Sequence, residues 1–103
     1  MLVSTLISEE QIAHVSAEVR EEFKRDVVSI RGSEGYDWSG DPAISFGIVL
    51  KDAATRGKRL RIISRKIDDR LWERVRQIRP ELLVYCYFRS ESEQPDSDGE
   101  PWW

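Results

Sequence analysis

The 103-residue sequence predicts a two-layer α+β domain of order α-β-β-α-β, a three-stranded sheet with two helices on one face. Two segments place apolar residues at helical three- and four-residue steps. Three others are short and β-branched or aromatic, and Gly-, Asp- and Pro-containing stretches separate them. A chain of this length buries enough surface to fold as one domain without a disulfide or structural metal.

The first helix is announced by Ser8-Glu9-Glu10-Gln11. In this capping-box pattern the Ser8 hydroxyl accepts from the Gln11 amide and the Gln11 side chain reaches back, with Ile7 and Ile12 placed as a hydrophobic staple. Ile12, Val15, Val19 and Phe23 form its apolar stripe to about Lys24 or Arg25, which leaves His14 on the opposite, exposed side. Val27–Arg31 is expected as a short first strand. Gly32 to Pro42, with three glycines and a proline in eleven residues, is expected as a loop. Ala43 to Leu50 alternates, with Ile44, Phe46, Ile48 and Leu50 on one face, as a half-buried second strand does.

After a loop through Asp52 to Gly57, Leu60, Ile63, Ile67, Leu71, Val75 and Ile78 keep helical spacing until Pro80 forbids continuation. Leu82 to Arg89 is the third strand, and Cys86 on it is expected as a small core residue with an inert thiol. A right-handed crossover from second to third strand suggests sheet order 2-1-3, with the first strand central. By parity the face away from the helices then carries Val27, Ser29, Arg31, Ser45, Gly47, Val49, Tyr85, Tyr87 and Arg89. Such a face is a candidate contact surface.

The formal charge of −3 hides an asymmetry: −5 over residues 1–50, +7 over 51–79, zero over 80–89 and −5 over 90–103. Residues 1–90 are expected to form the domain. Residues 91–103 are expected as a flexible acidic tail ending in Trp102-Trp103, a pair suited to anchoring a partner. No apolar run approaches a membrane span and the first residues lack a signal-peptide pattern, so a cytoplasmic location is expected. A single Cys86 cannot make an internal disulfide, and Cys86 with His14 cannot build a closed zinc site without two or more carboxylates in support, so no metal and no cofactor are expected. Ser33 and Ser39 have no histidine in a suitable context for a serine hydrolase, and no catalytic residue is assigned.

From Ser8 to Leu50 and the helix after it, the run of helix, strand, Gly32-Ser33, acidic loop and hydrophobic strand resembles a minimal nucleotidyltransferase domain. In that family the Gly-Ser pair contacts nucleotide phosphates, and two aspartates at the start of the next strand hold magnesium. Here Ala43 and Ser45 fall near those positions, with Asp41 two residues early and Asp37 in the loop. The magnesium pair that phosphoryl transfer requires is missing. Members of the family act as antitoxins of HEPN-domain ribonucleases, so the resemblance implies a non-catalytic, partner-binding protein, an antitoxin that neutralises a basic, RNA-cleaving toxin by direct contact. The expected contacts are Arg31, Tyr36, Trp38, Asp41, Tyr85, Tyr87, Arg89, Trp102 and Trp103.

Two other readings stand beside this one. A nucleic-acid-binding protein would use Lys58, Arg61, Arg65 and Arg76 on the far side of the second helix, although Asp69 and Glu73 are expected to pair with Arg65, Lys66, Arg70 and Arg76. A nucleotide-binding enzyme would use Gly32-Ser33. Trp38 reads either as a ligand contact or as a lid folded on the sheet edge. Either sheet edge could also add a strand from a second copy, giving a homo-oligomer.

Overall fold

The computed structural model describes residues 7–93, which form two helices and a three-stranded mixed sheet in the expected α+β order. Helix α1 (Glu9–Glu22) starts at Ser8, whose hydroxyl accepts from the Gln11 amide at 3.1 Å while the Gln11 side chain accepts from Ser8 N–H at 3.0 Å. Strand β1 (Val27–Tyr36), strand β2 (Pro42–Leu50), a 3-10 turn (Asp52–Thr55), helix α2 (Lys58–Ile78) and strand β3 (Leu83–Ser90) follow.

The sheet order is β1-β2-β3, which places β2 in the centre and corrects the expected order with the first strand central. Composition accounts for it. A central strand is covered by neighbours on both edges, and in β2 Ala43, Gly47 and Val49 are buried along with Ile44, Phe46 and Ile48 of the other parity. Strand β1 carries Ser29, Arg31, Ser33 and Glu34, residues suited to an edge. β1 and β2 form an antiparallel hairpin, and α2 carries the chain over to β3, which pairs parallel to β2.

Strand β1 also runs to Tyr36, through the stretch expected as loop, and pairs with β2 along its length from Ser29↔Val49 to Tyr36↔Pro42. At Gly32 a Cβ would lie 2.7 Å from Ile12 Cγ2 and 2.8 Å from the Phe46 ring. The glycine lets α1 close on the sheet. A register shift between Val27 and Ser29 turns Val27 into the core opposite Leu50, so Val27 does not share the face of Ser29 and Arg31 as alternation suggested.

The core joins Ile12, Val15 and Val19 of α1, Ile63, Ile67, Leu71 and Val75 of α2, and Ile44, Phe46, Ile48 and Leu50 of β2 with Ile30 and Val84. Ion pairs tie the helices together at the rim: Arg70 holds Glu22 of α1 and Glu73 of its own helix, and Arg74 holds Glu18 at 2.8 Å. Arg59 at the start of α2 binds Asp26, beside β1, with both Nε and Nη2. Beyond β3, Glu91 N–H donates to the Leu50 carbonyl and Ser92 N–H to Asp52, so the chain stays bonded to the fold up to the Ser90–Glu93 turn. Trp102 and Trp103, with residues 94–101 of the acidic segment, lie outside the described residues. Among the described residues no helix is long and apolar enough to cross a membrane.

Candidate functional site

Strand pairing builds the face turned away from the helices in ladders across the sheet: Ser29–Val49–Arg89, Arg31–Gly47–Tyr87, Ser33–Ser45–Tyr85 and Gly35–Ala43–Leu83. The central member of each ladder is small or β-branched, while the flanking strands supply Arg31 on one side and Tyr85, Tyr87 and Arg89 on the other. The result is a shallow trough with aromatic and guanidinium walls. Arg31, Tyr85, Tyr87 and Arg89 are therefore brought together as expected. Ser33 joins them because β1 keeps its alternation past Arg31, a signal present in the sequence but hidden by reading Gly32 as the start of a loop.

The β1–β2 connection closes one end of the trough. Asp37 organises it: its Oδ1 accepts from the Ser39 amide at 2.9 Å, the Ser39 hydroxyl at 2.7 Å and the Asp41 amide at 2.9 Å, and its Oδ2 accepts from the Tyr85 hydroxyl at 3.1 Å. These bonds, the Ser39 hydroxyl foremost, together hold the Asp37 carboxyl below its ordinary value against the opposing effect of desolvation. The same carboxylate pushes the Tyr85 hydroxyl up, with burial adding to it. The same Ser39 hydroxyl lies 3.1 Å from Oδ2 of Asp41, which is exposed at the end of the loop.

Beside the Asp37 network the loop presents its aromatics. Trp38 is 95% exposed, Tyr36 71% and Tyr87 44%, three of the five large apolar side chains left most open among the described residues. Trp38 is not a lid on the sheet edge. Tyr36, Trp38, Ser33, Ser45, Tyr85 and Tyr87 line one cleft of about 340 Å³. Among the described residues no group of three His, Cys, Asp or Glu side chains converges as metal ligands do.

Gly32-Ser33 lies inside paired strand, with the glycine filled from below by Ile12 and Phe46. Ala43 and Ser45 sit on the trough face in the ladders of Gly35 and Ser33. Cys86 lies on the opposite parity beside the core, and burial, with Asp68 as a second influence, pushes its thiol far up, away from the reactive thiolate.

The second expected surface is also intact. Lys58, Arg61, Arg65, Lys66 and Arg76 are exposed on α2. Glu73 engages Arg70, and among the described residues no ion pair joins Asp69 or Glu73 to Arg65, Lys66 or Arg76. The expected neutralisation of that face is thus confined to Arg70. No family model, curated protein or solved structure matches the chain.

Proposed function

We propose that the chain is a non-catalytic protein-binding module that takes its partner on the trough face and the aromatic β1–β2 loop. The observation that carries this reading is the cleft of Tyr36, Trp38, Tyr85 and Tyr87, held open by the Asp37 hydrogen bonds and continuous with the ladder of Arg31. Rigid, exposed aromatics next to arginine are the side chains that concentrate binding energy in protein interfaces. A polar loop whose own polar groups are satisfied can present them without an ordering cost at binding.

The resemblance to nucleotidyltransferase-type antitoxins suggests the class of partner: an RNA-cleaving toxin neutralised by contact. Ala43 and Ser45 in place of the two aspartates support the non-catalytic side of this proposal. The test is co-expression with a ribonuclease encoded beside the chain. RNA cleavage by the toxin alone should disappear in the complex, and Trp38→Ala with Tyr87→Ala should weaken the complex by roughly tenfold or more. A neighbour that cleaves RNA equally well in the presence of the chain overturns the toxin assignment. Undiminished affinity in the double variant overturns the face.

A second reading rests on a separate observation, the row of α2 cations without acidic partners. Lys58, Arg61 and Arg65 succeed one another at three- and four-residue steps along one side of the helix, spacing that suits successive phosphates of a nucleic acid.

A further inference from the structure

The cleft at the loop end of the trough combines aromatic rings with a negative charge. Tyr36, Trp38, Tyr85 and Tyr87 line it together with Asp37, and among the described residues no lysine or arginine does. Arg31 and Arg89 occupy the ladders of Gly47 and Val49, farther along the sheet. Glu34 also lines the cleft but has an interaction of its own, so Asp37 is the carboxylate with capacity left. A carboxylate has about four lone-pair positions, two on each oxygen. Three donors converge on Asp37 Oδ1, whereas Oδ2 accepts from the Tyr85 hydroxyl, so the remaining capacity is on the oxygen beside Tyr85. The Ser39 hydroxyl first, then the loop amides and Tyr85, favour the ionised form of this carboxyl. The charge of Asp41 reaches the cleft as well, since the Tyr85 hydroxyl is raised by its bond to Asp37 and by burial, and by Asp41 in addition.

Taking the trough as the protein-binding face, a reading on which this rests, we propose that the cleft takes the guanidinium of an arginine on the partner, against the rings of Tyr36, Trp38 and Tyr87 and with Asp37 Oδ2 accepting one of its N–H groups. Aromatic faces carry the negative end of the ring quadrupole, so the rings and the carboxylate attract the same sign of charge. A guanidinium is planar and weakly hydrated, so it gives up water for such a site more readily than an ammonium does. The cleft volume of about 340 Å³ is at the lower end of the range of about 300–1,000 Å³ for ligand pockets, a size for one side chain rather than a length of chain. The base of a single-stranded RNA could stack on the same rings. Its phosphates would then meet Asp37 and Asp41, which disfavours RNA here and favours a partner that is basic at this point of contact.

Titrating the full chain with N-acetylarginine amide, with N-acetylcitrulline amide and with a uridine oligonucleotide, followed by NMR of the aromatic side chains, tests this with no partner present. The arginine compound should shift the Trp38 and Tyr87 signals, and citrulline, which has the same shape without the charge, should bind roughly tenfold more weakly. The oligonucleotide should leave those signals in place. Asp37→Asn keeps an acceptor for the loop amides and removes the charge, and it should weaken arginine binding roughly threefold or more. Trp38→Ala should do the same, and at 95% exposure its side chain is not needed for folding. Equal binding of the arginine and citrulline compounds, larger shifts from the oligonucleotide, no shift with arginine, or arginine binding unchanged in both variants overturns the proposal. With a protein partner in hand the two readings separate. A complex weakened by Trp38→Ala with Tyr87→Ala but not by Asp37→Asn overturns the arginine and leaves the trough, whereas a complex indifferent to all three substitutions overturns the trough itself.

Discussion

Gly32 decides how close the first helix comes to the sheet. Its absent Cβ leaves space taken by Ile12 and Phe46, so Gly32→Ala drives a methyl group to within 3 Å of two core side chains. The expected loss is about 1–3 kcal/mol in urea denaturation, the usual result of overpacking, with Ser33→Ala near neutral because Ser33 is exposed. Asp37 is the corresponding residue at the site. Its folded carboxyl is lowered, as is that of Glu93, which accepts from Ser90, first its amide and then its hydroxyl. Both thus stabilise the fold in their charged form. Their contribution is complete above the ordinary values of 3.8 for Asp37 and 4.5 for Glu93 and is lost as pH falls through the lowered ones. Asp37→Asn should abolish the Asp37 part of this acid sensitivity. It should also return the Tyr85 hydroxyl, raised by Asp37, towards 10.0 in an NMR titration; an unmoved Tyr85 midpoint means that the bond does not form in solution. Residues of this kind were half legible. Ser8 and Gln11 announce their mutual bonds by spacing alone, whereas the bond from Tyr85 to Asp37 spans 48 positions and exists only because β2 brings β3 beside the loop.

At the scale of elements, amphipathic periodicity was a dependable guide wherever one face met the core. The stripe of α1, that of α2 from Ile63 to Ile78 and the parity of β3 match the expectation, since a slip of one position would expose a whole row, whereas Leu60, expected in the same stripe, is exposed at the first turn of α2. It misled for β1, where alternation is broken by the shift after Val27 and where glycine and serine look like loop residues but extend the strand. The order of strands was beyond a chain-order argument. Glycine and serine after Arg31 read as a long loop rather than as one arm of a hairpin, which hides the simplest arrangement of neighbouring strands pairing and β3 adding next to β2. Helix α2 offers a direct check on its own start. Gly57 caps it at φ +56°, ψ −139°, a combination L residues avoid, with no side-chain hydrogen bond at the cap. Gly57→Ala should therefore cost about 1 kcal/mol or more, read as a lower midpoint in thermal denaturation followed at 222 nm, despite the open space around the position. A neutral Gly57→Ala variant would mean that the turn adopts another backbone conformation at little cost.

Across the whole molecule the two candidate surfaces differ in how they hold charge, and salt separates them. The cations of α1-facing α2, Arg70 and Arg74, are consumed in holding the helices together. Lys58, Arg61 and Arg65 are left to solvent, and their field is the one an anionic polymer would meet. If these three engage three phosphates of a nucleic acid, log K should fall with log salt at a slope of about −2 for a single strand and nearer −3 for a duplex. Reversing the three to glutamate should then remove binding, and neutralising any one of them should reduce the slope by close to one unit. The proposed protein binding on the trough would draw on Trp38, Tyr36 and Tyr87, whose contribution is burial rather than counterion release, so it should survive moderate salt and be indifferent to the α2 reversal. Titrating one labelled RNA and one protein partner against the same pair of variants, α2-reversed and Trp38→Ala/Tyr87→Ala, assigns each ligand to its surface. A partner lost with both variants would show that the two surfaces act as one, and the division of the molecule into a basic helix face and an aromatic trough would have to be abandoned.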